Sequence, residues 1–296
     1  MTVDATPLVW QTSRFQIDLS SPRVMAIINL TPDSFSDGGV ADAAAGIERA
    51  ATALAAGADI LDLGAESTRP GAIPLSEADE LDRLMPVLRE VMTWQVPISI
   101  DTYKPNVMRA ALDAGADIVN DVWALRWCGD HQLTGVDVVA QHPQCGVCLM
   151  HMHGEPTTMQ VSPMSIAPQA MPAAVAAFLI SRTEALLSRG VAGDRLVLDP
   201  GIGFGKTVEQ NFALFSGQRA LRALGFPVLA GWSRKSSLGA VTGRAVDARL
   251  AASIAAATVA LSHGANILRV HDVAPTVDAV KVWLASCDNG GHSLFV

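Results

Sequence analysis

Eight times along this 296-residue chain a short apolar run carries a polar residue at or next to its end, passes through a loop and enters a helical segment. The runs fall at 23–29, 59–66, 97–101, 117–122, 146–151, 196–199, 227–233 and 267–271. They read as strands buried on both faces, which is how parallel strands covered by helices are written. Helical sequence follows each. An alanine-rich segment at about 42–56 stops at Gly57. Ser76 with Asp79 resembles a helix cap, and Pro105 opens a helix that ends at Gly115. A weaker segment, 128–143, supplies the fourth helix or a fragment of one, and further helices are expected at about 168–189, 207–224, up to 263, and up to 286. Eight such units without a linker or a low-complexity tract point to a single α/β domain, a (β/α)8 TIM barrel over 23–287. A doubly wound sheet is the structural alternative. Residues 1–22 form an N-terminal extension in which Ile17 and Leu19 make a small strand or cover an end of the fold. Residues 288–296 are a tail without a motif.

Composition narrows the chemistry. Half the residues are apolar and 17% are charged, enough for a large core. The net charge of −8 argues against nucleic acid as a partner, because that needs a basic face. Cys145 and Cys148 have C-x-x-C spacing, but no second pair completes a zinc site. With Cys128 and Cys287 they are read as structural. No apolar run reaches the roughly 20 residues of a membrane span, and no secretory leader is legible. A cytoplasmic location and no membrane partner are the expectations.

The most informative stretch is Leu196-Val-Leu-Asp-Pro-Gly-Ile-Gly-Phe-Gly-Lys206. An apolar strand delivers Asp199 to a glycine-rich turn closed by Lys206, which adds a positive charge there. A nucleotide P-loop is excluded, because Pro200 stands where its first glycine belongs; Gly201, Gly203 and Gly205 do not fit G-x-G-x-x-G either. Barrel active sites lie at the C-terminal strand ends. Those ends carry Asn29, Glu66 with Arg69, Asp101, Asn120 with Asp121, His151, Asp199, Ser233 with Arg234 and Lys235, and Arg269 with His271. Asp101, Asn120 and Asp199 suit a flat heterocycle with N–H and amino groups. Arg69, Lys235, Arg269 and His271, gathered at one mouth, suit phosphate or another anion. Arg234 is read as facing solvent.

Seven motifs, in order, carry a resemblance: Asn29-Leu-Thr-Pro-Asp-Ser-Phe-Ser-Asp-Gly-Gly39, Gly64-Ala-Glu-Ser-Thr-Arg-Pro-Gly71, Ser99-Ile-Asp-Thr102, Asn120-Asp121, Asp199 to Lys206, Ser233-Arg-Lys-Ser236 and Arg269-Val-His271. Over about 23–283 the chain resembles the dihydropteroate synthase family of folate biosynthesis. The resemblance implies a TIM-barrel transferase that joins 6-hydroxymethyl-7,8-dihydropterin pyrophosphate to 4-aminobenzoate, releasing 7,8-dihydropteroate and pyrophosphate. It implies that Asp101, Asn120, Asp199 and Lys235 hold the pterin, with Met150 or Met152 on the ring face. It assigns the pyrophosphate to Asn29, Arg69, Arg269 and His271, with Mg2+ bridging it and Asn29. Thr68, Pro70, Phe204 and Ser233 line the 4-aminobenzoate site, beside Lys206. The loops 30–39 and 67–74, with Thr31, Asp33 and Phe35 in the first, form a lid. Asp101, Lys235, Arg269 and His271 are the catalytic set implied. The family is a sulfonamide target and is usually a homodimer formed through late helices, with which the alanine-rich 248–263 segment is compatible.

The resemblance also implies a dissociative reaction, in which pyrophosphate leaves before the amine attacks. Trp123 and Trp127 depart from the small residues expected after Asn120-Asp121-Val122. A pterin-dependent methyltransferase is the nearest enzyme rival; Ser233-Arg-Lys-Ser236 and Arg269-x-His271 speak against it. A non-catalytic pterin-binding paralogue would have lost the loops or the pyrophosphate cluster, and this chain keeps both.

Overall fold

In the computed structural model, which describes residues 8–31, 40–67, 72–128, 133–156, 158–159 and 161–288, two short strands precede the barrel. Strand β1 (Val9–Gln11) pairs antiparallel with β2 (Gln16–Asp18). Trp10, Ile17 and Leu19 point into the bottom of the barrel and pack on Met25, Ile60, Ile118, Cys148, Val197, Leu229 and Ile267. Ile17 lies in β2 and Leu19 one residue past its end. The plug is tied down by Trp10 Nε1, which donates to the Arg195 carbonyl at 2.8 Å, and by Arg14, which grips the buried Asp117 carboxylate at 2.7 and 3.1 Å.

The barrel follows in strict alternation: β3 (Arg23–Asn29), α1 (Val40–Ala55), β4 (Ile60–Gly64), α2 (Glu77–Val91), β5 (Ile98–Asp101), α3 (Pro105–Asp113), β6 (Ile118–Asp121), α4 (Gly135–Gln141), β7 (Gly146–Met150) and α5 (Met171–Leu187). Then come β8 (Leu196–Asp199), α6 (Val208–Ser216), α7 (Gln218–Arg222), β9 (Leu229–Ala230), α8 (Ser236–Thr242), α9 (Leu250–Ser262), β10 (Ile267–Val270) and α10 (Val273–Asp288). The eight barrel strands are all parallel, in the order β8-β7-β6-β5-β4-β3-β10-β9. A parallel bridge between Leu198 and Val228 closes the ring.

Two segments differ from the sequence expectation. Strand β9 keeps two residues of the seven expected, because Pro227 has no N–H to add to the ladder and Arg234, at φ 58°, turns the chain away. The helix at 207–224 breaks at Gly217, where an added Cβ would lie 2.6 Å from Pro172 Cγ. Helix α4 lies within 128–143 as the helix fragment expected there, started by a capping box between Thr134 and Asp137. Ser76 does cap α2, its side chain accepting from Asp79 N. The segment Pro168–Leu187 is long and apolar enough to cross a membrane, against the sequence reading that no run reaches that length. It belongs here to the helical ring, where Met171, Val175, Leu179 and Leu186 are buried.

The strands are apolar on both faces, but the two faces differ. Outward side chains such as Val24, Leu61, Ile100, Val119, Leu149, Leu198 and Leu268 join the helices in one core. Inward side chains alternate with them along each strand. Their lower layer is the apolar set on the hairpin plug. Their upper layer contains Asp62, Ser99, Asp101, Asn120, Met150, Asp199 and Arg269, so the interior turns polar one step below the mouth. The same alternation separates the C-x-x-C pair. Cys145 belongs to the outer core and Cys148 to the barrel interior.

Trp10 is fully buried at the foot of this stack. Trp10→Ala is expected to cost about 3–5 kcal/mol, the price of a large core deletion. Urea denaturation checks this. The folded fraction should keep the ligand affinity of the parent, since the plug and the mouth lie at opposite ends.

Candidate functional site

The upper layer is built around Arg269 on β10. Its Nε donates to Asp62 Oδ2 at 2.7 Å and its Nη2 to Asp101 Oδ2 at 2.5 Å. Asn120 Nδ2 donates to the same Asp62 oxygen at 3.2 Å. Strands β4, β5, β6 and β10 thus meet through one guanidinium and three short side chains. Backbone register explains the convergence: Asp62 pairs with Ser99, and Asp101 with Asn120, on successive strands.

Burial sets the electrostatics. It pushes the Asp101 carboxyl up to about 7; Arg269 pulls it down, and the nearby Asp62, Glu80 and Asp121 charges push it up. Asp199 is also raised, by burial first, against the Gly201 N–H and the Lys235 charge. Burial works against the Arg269 charge, but Asp62 and Asp101 outweigh it and hold that guanidinium ionised above its usual range. Asp62 Oδ1 and Asp101 Oδ1 are buried and have no hydrogen-bond partner among the described residues. Buried oxygens of that kind are acceptors waiting for a donor.

The glycine-rich turn after β8 frames the next part. Asp199 Oδ1 accepts from Gly201 N at 2.7 Å. Gly201 has φ 67°, and a Cβ there would fall 1.9 Å from the His151 carbonyl oxygen, so only glycine fits. Lys206 differs from its sequence reading. Its ammonium is not presented to a ligand; it donates to the carbonyls of Gly201, Phe204 and His151 at 2.7, 3.1 and 3.2 Å. Burial draws its pKa down to about 7, with Asp199 opposing. The turn is therefore laced from inside by its own lysine. Lys235 is the charge that reaches the site instead, its Nζ 4.3 Å from the Phe204 ring centroid and its stem against Gly203.

An apolar wall stands beside these groups. Met150, Met152, Met159, Tyr103 and Val122 are buried together, with Trp123, Trp127 and Phe204 packed on them. The two tryptophans are thus a packing feature. Tyr103 meets Trp127 edge-on at 5.3 Å. Asp121 faces outward and carries their loop, accepting from Trp123 N at 2.8 Å and Leu125 N at 2.6 Å. Those bonds hold Ala124 and Leu125 at φ 51° and 59°. Asp121 is a loop anchor rather than part of the mouth.

On the far side, Ser233 Oγ accepts from His271 N at 3.1 Å and lies 3.0 Å from His271 Nδ1. Arg234 pairs with Asp272, and it is exposed as its sequence reading expected. His151 is buried, and burial takes its imidazole down to about 3, so it stays neutral. Asn29, at the end of β3, is exposed, and Thr31 follows it half-buried. Asp33, Phe35, Thr68, Arg69 and Pro70, and with them most of both lid loops, lie outside the described residues. Asp62 was not among the sequence candidates. It lies two residues before the end of its strand, where a survey of strand ends does not look. The available signal was an acid inside an otherwise apolar buried run.

The chain matches the family described as pterin binding enzymes over residues 25–271. It is 47% identical over 284 residues to a dihydropteroate synthase of Neisseria meningitidis serogroup B, covering 94% of this chain and 97% of that protein. A crystal structure of Burkholderia cenocepacia dihydropteroate synthase complexed with 7,8-dihydropteroate superposes with a TM-score of 0.86 at 45% identity, over 96% of this chain and 98% of that one. A Xanthomonas albilineans dihydropteroate synthase with 4-aminobenzoic acid gives 0.86 at 43% identity, over 95% and 98%.

Proposed function

This chain belongs to the pterin-binding enzymes, among the dihydropteroate synthases, and from that membership we propose how its barrel mouth joins 6-hydroxymethyl-7,8-dihydropterin pyrophosphate to 4-aminobenzoate. The observation that carries the reading is the inner polar layer: Asp62, Asp101, Asn120, Asp199 and Arg269 on the inner faces of five barrel strands. Asp199 accepts from the pterin ring N–H and amino group, and Asn120 adds an amide. Lys235 donates to the ring carbonyl and nitrogen, and Met150 with Met152 covers a ring face. Arg269 and His271 hold the pyrophosphate together with Arg69. Phe204, Ser233, Thr68 and Pro70 border 4-aminobenzoate.

Asp101 stabilises the positive charge that develops on the methylene as the C–O bond to pyrophosphate breaks. The aniline nitrogen then attacks that carbon and loses its proton. The lid loops 30–39 and 67–74 keep water from the cation. No side-chain nucleophile is needed.

Among the described residues no cluster of three or more His, Cys, Asp or Glu could cage a metal. Mg2+ characteristically takes one or two protein ligands and completes its shell with phosphate oxygens and water. The exposed Asn29 amide fits that pattern as a single hard donor. When bound there with pyrophosphate, Mg2+ would neutralise charge on the leaving group. The same reading carries a cytoplasmic location and a homodimer. Exposed Val241 and Val246 around α8, with Leu250 and Val259 on α9, supply apolar surface for such a contact.

The test is Asp101. It works as a carboxylate and is held up to about 7, so kcat/KM should rise with pH through that value. Asp101→Asn should lose about 10²-fold or more in kcat and abolish the acid limb. A wild-type profile flat from about pH 5.5 to 8.5 would remove Asp101 from this role.

A further inference from the structure

Asp62 is fully buried, yet it carries a carboxylate that nothing in the reaction touches in the reading above. A buried charge needs a reason. One of its oxygens serves two donors at once: Arg269 Nε at 2.7 Å and Asn120 Nδ2 at 3.2 Å. These two residues have different duties, one toward the pyrophosphate and the other toward the pterin. We propose that Asp62 is the positioning residue of the site, fixing the guanidinium of Arg269 and the amide of Asn120 in one geometry from beneath. This inference rests on the dihydropteroate synthase reading.

Three details support it. First, the Asn120 amide has two distinct ends. With one N–H of Nδ2 given to Asp62, the other N–H and the Oδ1 lone pairs are held in fixed directions for a ligand. A neutral asparagine at 62 could offer its own N–H there and turn that amide over. Second, Arg269 binds two acids, but they are not equivalent. Asp62 is sealed at 0% exposure of its side chain, and Asp101 keeps 10%. The Nε–Asp62 bond is therefore the fixed one. The Nη2–Asp101 bond lies at the ligand face and is the one that exchanges when substrate arrives. Third, Asp62 sits on β4, between β3 with Asn29 and β5 with Asp101. It joins strands β4, β6 and β10, which are not neighbours in the ring.

The experiment is a double-mutant cycle on intact protein, read by calorimetry with 6-hydroxymethylpterin and with its pyrophosphate ester in Mg2+. Wild type is run alongside; its failure to bind either probe would overturn the functional reading instead. Asp62→Asn should fold and weaken 6-hydroxymethylpterin about tenfold. On an Asn120→Ala background the same substitution should cost threefold or less, because the amide it orients is gone. The pyrophosphate ester should lose a further factor of about ten beyond the pterin alone, and that factor should vanish on an Arg269→Lys background. Equal losses on parent and variant backgrounds would show that Asp62 acts only through general stability and would overturn the proposal. Unchanged affinity for both probes would do the same.

Discussion

Arg269→Ala is expected to lose about 10³-fold or more in kcat/KM for the pterin pyrophosphate and about 2–4 kcal/mol of stability. Both effects come from one side chain. The guanidinium supports the leaving group, and at rest it neutralises Asp62 and Asp101. Removing it strands two buried acids near each other, and breaking a buried pair costs more than the pair contributed. The pH dependence follows in sign. An unpaired buried acid is relieved by protonation, so the stability deficit should shrink as pH falls and grow as it rises. Arg269→Lys keeps a charge but cannot span both carboxylates at 2.5 and 2.7 Å with a planar fork. It should recover part of the stability and little of the activity. Thermal melts across pH and steady-state kinetics check this. A Tm deficit that does not change with pH would contradict the assignment.

Gly201→Ala should be more damaging to the fold than its size suggests. The new Cβ would lie 1.9 Å from the His151 carbonyl oxygen, in a backbone with φ 67°. Something must move, and what moves is the site. The His151 and Gly201 carbonyls both hold Lys206, and the Gly201 N–H holds Asp199. A cost above about 3 kcal/mol is expected, with a Tm fall of roughly 6–12 °C and near-complete loss of pterin binding. Gly190→Ala is the control. Gly190 also has positive φ, at 81°, but a Cβ there meets nothing within 4 Å. It should cost only the backbone preference, about 1–2 kcal/mol, and leave binding intact. Equal effects from the two substitutions would mean that the turn is not sterically locked.

The barrel was legible because its signal is repeated. Each strand is a compact apolar run, and each is closed by polar or glycine-rich sequence, so a blurred boundary does not shift the count. Strand β9 shows the limit: 227–233 looks like any other run, but between Pro227 and the left-handed Arg234 only Leu229 and Ala230 form the strand, with Val228 in a single bridge to Leu198. The site was legible where chemistry sits on the last strand residue, as with Asp101 and Asp199. It was less so where the direction of a side chain decides. Asp121 and Asn120 are adjacent in sequence, but alternation sends one to the helices and the other to the mouth. Lys206 follows a glycine loop as a ligand-binding lysine would. Its commitment to three carbonyls depends on how the turn folds back, and no local pattern encodes that. Asp62 was hidden in the middle of its strand.

The most direct test mixes the protein with 6-hydroxymethyl-7,8-dihydropterin pyrophosphate, 4-aminobenzoate and Mg2+ and follows 7,8-dihydropteroate by chromatography. The expected result is product that requires both substrates and disappears in Lys235→Ala. An inactive parent protein that still binds the pterin pyrophosphate would contradict the synthase assignment and leave a pterin-binding barrel without the condensation.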